Sequence, residues 1–157
     1  MSRELLTNLA AALAAIDGGT GYITRAGEVI QLGGSVPDKP ETDQLVIRMG
    51  AKEYRSTVNG NALDYATGAT SYFVAGTEFQ VIGVASQLHH DEPGERLSDL
   101  LEDIERALML ADTITAGGKK HTIQIVSADT ASREDGANAE TVTVTVRLSG
   151  PQAWQRS

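Results

Sequence analysis

The chain has 157 residues, no cysteine, 4% aromatic residues and a formal net charge of −8. That length fits one domain spanning residues 1–157, because two halves would each be too small to bury a good core. The missing cysteines exclude disulfides and zinc–thiolate sites and suit a reducing cytoplasm, while the acidic balance opposes the clustered Lys and Arg that phosphate binding needs.

The opening MSRELLTNLAAALAAI is rich in Ala and Leu, yet Glu4 cancels Arg3, and Thr7 and Asn8 interrupt the apolar run that a signal peptide requires. No stretch reaches the roughly eighteen apolar residues of a membrane span. An intracellular origin is therefore expected. Residues 2–16 read as a first helix: Ser2 can cap it, Glu4 suits the positive end of its dipole, and Leu5, Leu6, Leu9, Leu13 and Ile16 form one stripe. Asp17-Gly18-Gly19 ends it.

Residues 22–24 and 29–32 are β-prone and flank residues 25–28, which suggests a small hairpin. Residues 33–43, with two glycines and two prolines, read as loop. A strand over 44–49, a turn near Gly50 and a strand over 52–58 follow. Residues 59–71 (NGNALDYATGATS) lack a sustained period, and so long a stretch without structure in a compact domain is usually mobile or functional, which predicts a mobile loop here. Residues 72–75 and 79–86 form the next β-prone pair, separated by Gly76-Thr77.

The second helix, about residues 94–112, is the clearest element. Leu97, Leu100, Leu101, Ile104 and Leu108 line its buried stripe, Pro93 precedes it, and Asp99, Glu102, Asp103 and Glu105 read as its solvated face. Gly117-Gly118 closes the connection after it. Strands over 121–127 and 141–149 complete the domain, the last alternating Val142, Val144, Val146 and Leu148 with Thr141, Thr143, Thr145 and Arg147. A short tail, 150–157, carries Trp154. The fold class is thus α+β, a mainly antiparallel sheet of about five to seven strands packed by two amphipathic helices.

No motif carries catalytic chemistry. His89-His90-Asp91-Glu92 gathers metal-ligand types, but neighbours in one extended loop point different ways, and a metal site draws ligands from several elements. Asp129 and Glu140 have the spacing of an EF-hand, but Ala131, Arg133 and Glu134 occupy the other key positions. Gly118-Lys119-Lys120 lacks the first glycine and the hydroxyl residue of a phosphate loop. Gly33-Gly34-Ser35-Val36-Pro37 breaks off as a nucleophile elbow, and Asp17-Gly18-Gly19-Thr20-Gly21 follows a helix rather than a strand. No catalytic residue, cofactor or metal is expected, and the chain reads as not an enzyme.

The order of elements, with RLSDLLEDIERAL in the second helix and TVTVTVRLSG as the final strand, resembles the tail terminator proteins of long-tailed bacteriophages. The resemblance implies a structural virion protein, assembled in the host cytoplasm as a hexameric ring. Such a ring caps the tail tube, ends its polymerisation and provides the head-joining surface. Its partners would be further copies of itself, the tail tube protein and the head–tail connector protein, with no membrane. DNA would pass through without specific binding, which an acidic wall suits. Asn59, Asn61 and Tyr65 in the loop, and Trp154 in the tail, are then candidate interface residues. Another head–tail neck or tail tube subunit remains an alternative, as does a small ligand-binding module or cryptic enzyme.

Overall fold

The computed structural model describes residues 2–19, 21–56, 71–87, 93–131, 140–150 and 153–155. Its elements are α1 (Ser2–Leu13), a 3-10 turn (Ala26–Glu28), β1 (Ile30–Leu32), β2 (Gln44–Ser56), β3 (Ser71–Val84), α2 (Pro93–Ala111), β4 (Thr113–Ala116), β5 (Lys119–Ala131), β6 (Thr141–Ser149) and β7 (Ala153–Gln155). Among the described residues these make an α+β fold. Seven strands form one sheet in the order β1-β2-β3-β6-β5-β4, with β7 paired to the start of β3. β1 runs parallel to β2; the other described pairings are antiparallel.

The alternation in β6 decides which face is inside. Val142, Val144, Val146 and Leu148 are buried while the residues between them stay half-exposed, as a period of two demands. Val144 pairs with Val81 and Val146 with Phe79, so β3 and β6 present one apolar surface. α1 contributes Leu5, Leu9 and Leu13 to this surface, and α2 contributes Leu97, Leu100, Ile104 and Leu108. Both helices therefore cover the same face of the sheet. Each such side chain, fully buried, favours folding by about 1.5–3 kcal/mol. α2 crosses β3 closely at Gly83, where an added Cβ would meet the Ile104 side chain at 3.2 Å and the Leu100 Cβ at 3.4 Å.

The other face is mostly polar. Val46, Ile82 and Val84 form a small apolar cluster against Val36 of the loop before β2, and beyond them lie Gln80, Thr143, Thr145 and Arg147. α1 is also tied at its side: Asn8 Nδ2 donates to the Thr115 carbonyl at 2.5 Å, and Glu4 Oε2 accepts the Gly117 N–H at 3.0 Å.

Several boundaries differ from the sequence reading, each for a local reason. Residues 22–24 are not a strand, and no hairpin forms with residues 29–32. The N–H groups of Ile23 and Thr24 bond to Asp103 instead, and Gly27 donates to the Ile16 carbonyl at 2.7 Å. β1 is left to pair in parallel with Leu45–Ile47.

No turn forms at Gly50. β2 is continuous, and the extra residue is absorbed in a bulge between Met49 and Lys52. Gly76-Thr77 likewise lies inside one long β3 rather than between two strands; Thr77 pairs with both Lys52 and Leu148. Glycine at position 76 leaves room for the Arg147 guanidinium, whose Nε would lie 2.5 Å from an added Cβ.

α1 stops at Leu13, and turns carry the chain to the buried Ile16. α2 begins at Pro93 and stops at Ala111, because Asp112 takes φ 62° while its N–H still reaches the Leu108 carbonyl at 3.0 Å. Gly117 and Gly118, at φ 61° and 73°, are the tight turn of a β4–β5 hairpin, so the connection contains a strand. The tail also adds a strand, β7. Asn59, Asn61, Tyr65 and the rest of residues 59–70 lie outside the described residues, and Ser71 already begins β3.

Candidate functional site

Two buried carboxylates organise one end of the molecule. Asp103 reads from the sequence as part of a solvated helix face, but it is 1% exposed. Its Oδ2 accepts the Thr24 N–H at 2.6 Å, and its two oxygens lie 3.0 and 3.1 Å from the Ile23 nitrogen. These bonds to backbone N–H groups satisfy a charge that burial would otherwise penalise. The outcome is a segment between α1 and β1 pinned to α2. Nothing in the helical period distinguishes Asp103 from Glu102 or Asp99; its partners lie about eighty positions upstream.

Asp43 is the second. It ends the loop before β2, is 6% exposed, and accepts the Ser86 N–H at 2.8 Å. Its other oxygen pairs with Arg96 of α2. Ser86 in turn donates its hydroxyl to the Glu41 carbonyl at 2.8 Å. Asp43 thereby joins the entrance of β2, the exit of β3 and the first turns of α2.

Between these anchors lies a cavity of about 600 Å³, lined by Thr24, Arg25, Glu28, Asp43, Ser86 and Arg96 among others, a size in the range of small-molecule sites. Arg25 closes on Glu28, with Nε and Nη2 2.9 and 2.6 Å from Oε1, and this hydrogen bond with the Glu28 charge raises the guanidinium above its ordinary pKa. Its polar groups thus serve largely to hold one another. Among the described residues the lining supplies hydroxyls and carboxylates, with no histidine, cysteine or lysine.

No group of three or more metal-ligating residues is present among the described residues. His89, His90, Asp91 and Glu92 lie outside them. His121 is fully buried, its Nδ1 3.2 Å from the Lys119 carbonyl, and it packs where Gly150 leaves space: an added Cβ would be 2.6 Å from the ring. It is a core histidine. No described helix is long and apolar enough to cross a membrane.

The sheet borders are the remaining feature. β4 covers β5 only from Lys119 to Thr122. Residues 126–131 of β5 are all exposed, Val126 at 49%. At the opposite border β1 covers only Leu45–Ile47 of β2. The end of α2 exposes Met109 and Leu110, at 71% and 70%. Of the four candidate interface residues, Asn59, Asn61 and Tyr65 lie outside the described residues, and Trp154 is in β7 with its backbone opposite Tyr72.

No protein-family model matches the chain, and no curated protein matches it in sequence.

Proposed function

We propose that the chain is a structural subunit of a phage tail, a tail terminator. Copies of it would form a ring, hexameric in the family it resembles, that caps the tail tube, ends its growth and meets the head. The observation that carries this reading is a sheet with both described α-helices on one face and long stretches of both borders uncovered by described strands. A subunit built to stand beside others needs such borders; a self-contained enzyme does not. The acidic charge of −8 adds to it, since a ring through which DNA passes works best without gripping phosphate. Its partners are further copies of the chain, the tail tube protein and the head–tail connector protein, and its place is the virion.

The test is native mass spectrometry across a wide concentration range, followed by electron microscopy with tail tubes. A hexameric mass and rings seated on tube ends support the reading. A monomer that neither assembles nor binds tubes removes it. The cavity beside Asp43 favours a second reading, a small ligand-binding module, and a retained small molecule in the same spectra would support that instead.

A further inference from the structure

Resting on the ring reading, we propose that neighbouring copies join head to tail through their sheets. The outer edge of β5 in one copy would pair with the outer edge of β2, beyond Ile47, in the next. Past the β4 pairing, Ile123 donates its N–H to the Asp112 carbonyl at 3.2 Å, and among the described residues no strand then lies along 124–131 on the side away from β6. On the other border Gly33 donates to the Ile47 carbonyl at 2.7 Å, and on the side away from β3 no described strand runs beside 49–56. Long uncovered edges of this kind template pairing with another strand.

Strand direction, charge and offset each select a second copy as the occupant. β2 is antiparallel to β3, β3 to β6 and β6 to β5, so β2 and β5 point in opposite directions. A copy shifted sideways therefore brings its β2 antiparallel to β5, and the ladder continues unbroken. In an acidic chain, the 48–53 stretch of that edge carries Arg48 and Lys52 against Glu53, while 124–131 carries Asp129 and no base. Edges of opposite sign meet only when different edges join.

The offset is the most specific feature. Ala131 pairs with Thr141, whereas Met49 pairs with Phe79 and Phe79 with Val146. Along β6 the lower ends of the two edges are thus five residues apart, from 141 to 146. Five residues are about 17 Å of strand, and the four strands from β2 to the next β2 span about 19 Å. Side chains keep to their own faces only in even steps, so the ladder sets Met49 beside Thr130, four residues or about 14 Å of strand, and tilts the strands by about 35° from the ring axis, within the roughly 35–45° of closed barrels. A mismatch that would prevent a flat, untilted array is the stagger a closed ring requires.

Because the chain has no cysteine, introduced thiols report the contact alone. Ala51→Cys combined in turn with Ser127→Cys, Ala128→Cys or Asp129→Cys, oxidised and run without reductant, should give a ladder of covalent multimers in at least one pair. Each single variant, with no thiol on the facing edge, should stay largely monomeric on the same gel. Asp129→Lys should raise the dissociation constant of the assembly roughly tenfold while leaving the far-UV spectrum unchanged. Oligomers in native mass spectra with no ladder in any pair would overturn the edge pairing and leave the ring. Efficient Ala128→Cys dimers without a ladder would mean that two β5 edges meet about a twofold, which also overturns it. A chain monomeric at every concentration would remove both proposals together.

Discussion

Asp103 on the second helix accepts the backbone N–H of Thr24 at 2.6 Å, so a helix carboxylate fixes a loop that precedes it by about eighty positions. Asp103→Ala should leave the N–H groups of Ile23 and Thr24 buried or poorly bonded, costing about 2–4 kcal/mol. Asp103→Asn, which keeps one acceptor, should cost less. Urea unfolding at neutral pH measures both, and equal, negligible losses would mean the loop is held by something else.

The Asp43–Arg96 pair should behave asymmetrically. Asp43 is the more buried partner, its side chain 4% exposed against 19% for Arg96. Arg96→Met strands a buried carboxylate and should destabilise by roughly 3 kcal/mol. Changing both, to Asn and Met, should recover part of that loss, because no charge is then left alone. A double variant as weak as the sum of its singles would show that the pair is not coupled.

Two glycines should respond oppositely to alanine. A Cβ on Gly27 would lie 2.3 Å from the Leu13 carbonyl oxygen and 2.7 Å from that of Ile16, backbone atoms that cannot step aside. Gly27→Ala should cost roughly 2 kcal/mol or more. A Cβ on Gly94, near the start of α2, would meet nothing within 4 Å. Gly94→Ala should be neutral or raise stability by about 0.5 kcal/mol. Melting temperatures of the two variants give the comparison directly.

Gly117→Val should open the β4–β5 hairpin. Its φ of 61° is costly for a branched side chain, by about 1–2 kcal/mol. The same change loosens the Gly117 N–H that Glu4 holds. Amide exchange should accelerate at Ile114 and His121, which pair across that hairpin, before it does in β6.

Where the sequence pattern was periodic, it reported the fold well. β6 runs over the alternating residues 141–149, and Leu97, Leu100, Ile104 and Leu108 are buried as their spacing requires, with Leu101 half-buried at the border of the stripe. Where a local signal had to stand for a distant one, it misled. Gly50 and Gly76 look like turn residues, yet one lies in a bulge and the other makes room for Arg147. The buried roles of Asp103 and Asp43 depend on partners dozens of positions away, and no short-range pattern encodes them. No short-range pattern marks the cavity beside Asp43, because it is assembled from four separate segments.

Asn8 and Glu4 of the first helix are held by Thr115 and Gly117, and Leu9 and Leu13 share a core with Val146 and Leu148. During synthesis this helix therefore emerges long before the surface that covers it exists. Its leucine stripe stays open while more than a hundred further residues are made. Closure must wait for α2 and β4, the late elements against which this helix packs, which makes the chain a slow folder for its size and most vulnerable to wrong association before they are made. A truncation ending ahead of α2 should accordingly be prone to aggregation rather than merely less stable.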